Sequence, residues 1–206
     1  MRLVQFKTED GRRKVALVAP DGEALLPLAG ATSVYDLAMR SIEEATPLAD
    51  LIAALPREEA VDYAAALAEG RVLPPLDHPE PARFLITGTG LTHTGSATAR
   101  NRMHEVVHGP DARVWVSLRL FGWGLWGGKP GEGRFGVQRD WFFMGVGTCV
   151  VPPGAPLELP GYALAGAEEA EIVGLYIVDP AGEPRRIGFA LGNDFSDHVT
   201  EGKNYL

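Results

Sequence analysis

Two short apolar-rich runs, Leu3 to Phe6 and Val15 to Val18, are separated by Glu9-Asp10-Gly11, and the second is followed by Pro20-Asp21-Gly22. Apolar runs of this length, bounded by residues that tolerate tight turns, predict short strands within residues 1–28. Ser33 with Asp36 three positions on resembles a capping box and predicts a helix through about Glu44. Thr46-Pro47 is a second start signal, an N-cap followed by proline in the first turn. It predicts a helix from Leu48 to Leu55. A further helix is expected over Glu58 to Glu69, with Gly70 as its stop. Together these elements predict a small α+β unit.

The pattern breaks at Leu73-Pro74-Pro75-Leu76-Asp77-His78-Pro79-Glu80-Pro81, which reads as a linker. The expected organisation is therefore an N-terminal α+β domain over 1–75 and a β-rich domain over 76–206. Strand-like runs with Gly and Pro turns dominate the second part, with few helical periods after about residue 108. Leu120 to Gly136 holds seven glycines among Phe121, Trp123 and Trp126. That mixture predicts a loop, either partly covering a site or packed on the surface.

The clearest pattern lies near the C-terminal end. Ile172 to Val178 is an apolar run of strand length, Asp179-Pro180-Ala181-Gly182 has type I turn chemistry, and Ile187 to Leu191 returns as a second strand. Side chains alternate faces along a strand, so Glu169 and Glu171 point the same way. A hairpin centred near residue 181 or 182 brings Asp194 to within a residue or two of the position opposite Glu169. Three carboxylates brought together repel one another unless a cation neutralises them. Hard oxygen ligands favour Mg²⁺, Mn²⁺ or Ca²⁺ over zinc, and no Cys/His cluster competes. The bland alternative is an exposed acidic edge formed by Glu168, Glu169 and Glu171.

Composition narrows the partners. Hydrophobic residues make up 46% of the 206 and charged residues 22%, a globular balance. A net charge of −8 disfavours nucleic acid or an anionic membrane as the main partner. The start, MRLVQFKTED, lacks the apolar core of a signal peptide, and no apolar run approaches the length of a membrane span. Cys149 is the only cysteine, so no internal disulfide forms; this fits a cytoplasmic location and a small buried apolar role for that residue.

Three stretches taken together resemble the fumarylacetoacetate hydrolase family. Glu169-Ala170-Glu171-Ile172 with its apolar strand, and Gly192-Asn193-Asp194-Phe195-Ser196, look like that family's Glu-x-Glu and Asn-Asp-x-Ser metal signatures. Phe143 to Pro160 is similar to the strand leading into its Pro-Gly-x-Pro turn. Leu85 to Ser96 and Asn193 to Leu206 resemble a sugar-acid branch, the GguC-like proteins. The resemblance implies a small α+β domain followed by a β-rich mixed-sheet catalytic domain, incomplete at its C-terminal side because the family continues beyond Tyr205. It also implies pairing as a homodimer, and a divalent cation (Mg²⁺, or Mn²⁺ or Ca²⁺) held by Glu169, Glu171 and Asp194. The family's catalytic histidine lies in a Gly-x-x-Tyr-x-x-His element. Gly88-Thr89-Gly90-Leu91-Thr92-His93 matches it one residue short, so His93 is the implied acid/base group. Thr94, Ser96 and Tyr205 are the implied substrate-binding residues. The lysine that many relatives carry in the strand here spanning Phe143 to Thr148 is absent.

The chemistry so implied acts on a small 2-oxo acid. A cation chelated by the 1-carboxylate and 2-oxo oxygen stabilises the enolate formed when a base takes the C3 proton. A hydroxyl at C4 then leaves, giving dehydration, and the branch likeness favours a 2-keto-3-deoxy sugar acid. With a carbonyl at C4, water attacks instead and the C3–C4 bond of an acylpyruvate-type substrate is hydrolysed. The alternative from another class is a non-catalytic metal-binding or assembly module.

Overall fold

A computed structural model of the chain describes residues 1–90, 95, 97, 98, 102, 116–136 and 141–203. Both helices and antiparallel sheets are present, so the fold is α+β. The chain forms two compact units, Met1–Pro81 with Cys149–Leu206, and Ala82–Thr148.

In the first unit, Leu3–Lys7 (β1), Arg13–Val18 (β2), Ala24–Pro27 (β3) and Val61–Asp62 (β4) form an antiparallel sheet in sequence order. The expected turns close it: Gly11 and Gly22 take φ of +82° and +88°, and their N–H groups donate to Thr8 O and Ala19 O. Strand alternation divides the side chains between two faces. Phe6, Ala16 and Leu25 are buried on one, where Ala66 of the helix Tyr63–Ala68 (α3) and Val72 complete the cluster. Each large apolar side chain buried there stabilises the fold by roughly 1.5–3 kcal/mol.

The opposite face meets the helix Val34–Glu43 (α1) through Gln5, which has no exposed surface. Gln5 Oε1 accepts from Val34 N–H at 2.7 Å, and Nε2 donates to Pro74 O at 2.7 Å and to Asp77 Oδ1 at 3.2 Å. The Pro-rich stretch is thus docked on the sheet where a free linker was expected. Leu73 N–H donates to Gln5 O, Leu76 is buried, and Arg13 pairs with Asp77 at 2.8 Å.

Three expectations change here. Ser33 caps α1 as expected, accepting from Asp36 N–H, but in the helix Leu48–Ala54 (α2) the N-cap position falls to Pro47 and carries no side-chain cap. Thr46 lies one residue too early, and its hydroxyl donates to Glu44 O instead. The segment before α3 is extended: Glu58 N–H donates to Pro27 O and Val61 pairs with Leu25. Pairing with the sheet edge outweighs local helical preference there, and Asp62 becomes the cap of a shorter helix by accepting from Ala65 N–H. Cys149 is exposed, because it ends the short 3₁₀ turn Gly147–Cys149 on the surface.

In the second unit, Leu85–Thr89 (β5) pairs antiparallel with Trp141–Val146 (β6). The ring of Phe142 lies across the space that a Cβ on Gly88 would take, so a larger residue at 88 requires that exposed ring to move aside. Val116–Gly127 is a helix (α4), where a glycine-rich loop was expected. Its glycines weaken it by about 1 kcal/mol each. Even so, the ladder runs on through Gly128 N–H to Gly124 O at 2.8 Å. Among the described residues no helix is long and apolar enough to cross a membrane.

Candidate metal centre

Ala170–Val178 (β7) and Pro184–Asn193 (β8) form the expected hairpin. Its turn is built by Asp179. Gly182 N–H closes on Asp179 O at 2.9 Å, Gly182 takes φ +85°, and Asp179 N–H donates to Glu183 O at 2.9 Å. This is a type I turn followed by a left-handed residue, the geometry that suits strand twist. The buried Asp179 carboxylate accepts from the N–H groups of Ala181 and Glu183 and from Arg185 Nε, each at 2.9 Å. The Glu183 N–H first, then the Arg185 guanidinium, hold its pKa below the ordinary aspartate value.

The turn sets Val178 opposite Pro184, and a one-residue shift between Leu175 and Tyr176 then sets the register of the far end. Ala170 is opposite Asn193, Glu171 is opposite Gly192, and Asp194 N–H donates to Glu169 O at 2.8 Å. Glu169 and Asp194 therefore face one another across the hairpin, with Glu171 two positions along. Alternation puts Glu169 and Glu171 on the side of β7 that carries the buried Ile177. Asn193 Oδ1 accepts from Glu169 N–H at 3.0 Å, and Ala167 and Ser196 exchange two backbone hydrogen bonds of 2.8 and 2.9 Å.

Beyond Asp194 the chain enters a short helix, His198–Lys203 (α5). Asp197 fixes its start: Oδ1 accepts from the Val199 and Thr200 N–H groups, and Oδ2 from the Leu164 N–H and the Thr200 hydroxyl. The Thr200 N–H, then that of Leu164, depress its pKa far below the usual range. His198 reaches back to Glu169, with Nε2 2.5 Å from Oε1 and both side chains less than a third exposed.

Glu169 and Asp194 are half-buried, and Glu171 is exposed with no ion pair among the described residues. The donor chemistry, carboxylate oxygens held at one end of a hairpin, suits a hard divalent cation. The side chains themselves stand apart: no three His, Cys, Asp or Glu among the described residues are gathered closely enough to hold an ion. His93, Thr94, Ser96 and Tyr205 lie outside the described residues. His198 and Asp197 were not singled out from the sequence. Their signal is the Asp-x-x-x-His spacing from Asp194, with a helix-capping aspartate immediately before the histidine. The chain matches no protein-family model, no curated protein and no solved structure.

Proposed function

We propose that the chain is a divalent-metal-dependent enzyme acting on a small 2-oxo acid, with Glu169, Glu171 and Asp194 as the ligands of Mg²⁺ or a similar hard cation. The observation that carries the reading is the hairpin register, in which the Asp194 N–H bonds the Glu169 carbonyl. That register puts Glu169 and Asp194 opposite one another with Glu171 two positions along, which supports reading the three as one ligand set. The likeness of Glu169-Ala170-Glu171 and Asn193-Asp194-Phe195-Ser196 to the fumarylacetoacetate hydrolase signatures supports the same assignment.

The bound cation would supply Lewis-acid stabilisation of the negative charge that develops on a 2-oxo acid. The chain's own contribution at this end of the hairpin is to fix the donors. Asn193 holds the Glu169 backbone, and the Ala167–Ser196 bridge fixes the approach of the two strands. His93 is the proposed proton-transfer group, with Thr94, Ser96 and Tyr205 as substrate-binding residues. The favoured reaction is dehydration of a 2-keto-3-deoxy sugar acid, with C–C hydrolysis of an acylpyruvate as the alternative.

Mn²⁺ binding followed by electron paramagnetic resonance, with turnover on a panel of 2-oxo acids, tests this. E169Q, E171Q and D194N are expected to lose both. Turnover that survives all three substitutions would refute the metal-dependent reading.

One observation favours a second reading, a non-catalytic metal-binding or assembly module. The other face of the hairpin leaves Ile172, Tyr176, Val178, Phe189 and Leu191 exposed, a surface suited to association. Metal binding without turnover on any 2-oxo acid would support it. Homodimer formation belongs to both readings.

A further inference from the structure

We propose that the unit Ala82–Thr148 carries a docking surface for an anionic lipid interface, formed by the exposed stripe of α4 and the loop that follows it. Charge and aromatic residues are unevenly spread along the chain. Ala82–Thr148 holds eight Lys and Arg against four Asp and Glu, whereas the rest of the chain holds eleven against twenty-three. The net charge of −8 therefore arises outside this unit, which is itself basic. All four tryptophans, Trp115, Trp123, Trp126 and Trp141, belong to it as well. Helical spacing gathers part of this set. Arg119, Trp123 and Trp126 stand at i, i+4 and i+7 of α4, which places them on one face, and all three are exposed, Trp126 at 82%. Phe121 falls on the opposite side and is half-buried. Lys129 follows the helix directly, and the chain then turns back on the helix end. Arg134 N–H donates to Gly131 O at 3.2 Å, and a Cβ on Gly136 would stand 2.9 Å from Gly127 O. Arg134 and the wholly exposed Phe135 thus come to the same end of α4 as Trp126.

Residues 116–136 contain Arg119, Lys129 and Arg134 against the single acid Glu132. Exposed indoles flanked by long cationic side chains match the boundary of a bilayer. Tryptophan rings sit there at headgroup depth, and Lys and Arg reach the lipid phosphates while their stems cover apolar surface. A second copy presents the same cations and is repelled by them. A polynucleotide binds chiefly through neutralised phosphates, and three cations among apolar rings supply little of that attraction. At physiological salt, charges more than about 8 Å away are largely screened, so the sign of the touching surface decides the contact. The surface calls for no cation at the β7–β8 hairpin, which belongs to the other unit.

Because every tryptophan lies in this unit, indole emission from the full chain reports on it alone. The purified chain is mixed with vesicles of phosphatidylcholine alone, or of phosphatidylcholine with phosphatidylserine, and emission and co-sedimentation are followed. A blue shift and co-sedimentation are expected with the mixed vesicles, both reversed by added salt. W123S/W126S is expected to lower partitioning by at least about 10-fold, since two rings are lost from the interface. R119Q/K129Q is expected to lower it by about 5-fold for each charge removed. The substituted side chains are exposed, so the variants should fold, and far-ultraviolet circular dichroism verifies it. No binding to the mixed vesicles, or equal binding to neutral ones, overturns the inference. So does full binding by W123S/W126S. A blue shift on concentrating the chain without lipid would assign the surface to a second copy, and one caused by oligo(dT) alone would assign it to nucleic acid; either result overturns the lipid assignment.

Discussion

Gln5 is a polar side chain with no exposed surface, held between the N-terminus of α1 and the Pro-rich segment. Burial of an amide is tolerated because its oxygen and its nitrogen both find partners. Q5L keeps the volume and removes the partners, leaving Val34 N–H and Pro74 O unpaired. It is expected to lower stability by about 1–3 kcal/mol for each group left unsatisfied, measured by urea denaturation. A loss below 0.5 kcal/mol, an order-of-magnitude threshold for an ordinary surface change, would show that water replaces the amide. Asp179 gives a pH-dependent counterpart. Its pKa is lower in the folded chain than the usual value, so folding favours the charged form. The stability it contributes is complete above the ordinary aspartate range near 4 and is lost as pH falls through the folded value. The gap in thermal midpoint between the unaltered chain and D179N is expected to stay constant from pH 7 to about 5 and to narrow below about 4. A gap that persists to pH 2 would contradict that assignment, since ~3.9 is where an unperturbed aspartate titrates. The role of Asp179 in the turn was legible because it is local, carried by four consecutive residues. Gln5 was not legible, since its partners lie 29 and 69 positions away.

The helices end in two versions of one device. At the close of α3, Gly70 N–H donates to Leu67 O and Arg71 N–H to Ala66 O, with Gly70 at φ +66°. At the close of α1, Ala45 N–H donates to Ile42 O and Thr46 N–H to Ser41 O, with Ala45 at φ +48°. Both are Schellman ends, and the second places a Cβ where glycine is preferred. The left-handed region costs an ordinary residue roughly 1–2 kcal/mol, part of which glycine gives back through its greater freedom when unfolded. A45G is therefore expected to raise stability by roughly 0.5–1 kcal/mol, and G70A to lower it by about 1 kcal/mol, read from urea midpoints. Nothing stands within 4 Å of a Cβ at Gly70, so a loss there reports backbone alone. Elements whose signals were local came out as read: β1, β2, the Ser33 cap and the β7–β8 hairpin. The misread ones were decided elsewhere in the chain. Residues 58–62 have helical composition but follow β3, and α4 forms in spite of the glycines that argued for a loop. The candidate site divides the same way. The hairpin register could be counted from the turn to within a residue, the shift between Leu175 and Tyr176 making up the difference, whereas the His198–Glu169 contact depends on how α5 is anchored by Asp197 and Leu164.

At the scale of the molecule, the β7–β8 hairpin has two unlike faces, and each makes a separate demand. One carries Ile177, buried, and by alternation Glu169 and Glu171. The other leaves Ile172 and Leu191, directly opposite one another, 75% and 88% exposed, with Phe189, Tyr176 and Val178 beside them. Its charge is Arg186, whose guanidinium lies 5.0 Å from the centre of the Phe189 ring, a stacked position that keeps the face apolar in character. Five apolar side chains left 48–88% exposed on one face form the kind of contiguous patch that marks an association surface. Two-stranded ribbons are also marginal by themselves and gain from a covering layer. A second copy of the same chain offers an identical apolar face, and a two-fold pairing of like faces closes without leaving a free end. Sedimentation of the purified chain at micromolar concentration is expected to give a dimer. L191K, which places a charge at the centre of the face, is expected to shift it to monomer with an unchanged circular dichroism spectrum. Mn²⁺ binding is expected to survive L191K, because the carboxylates stand on the opposite face. A monomer from the unaltered chain would remove the dimer from the proposal. Loss of Mn²⁺ binding together with the dimer would mean that the two faces are coupled, and that the cation site is completed only when the copies meet.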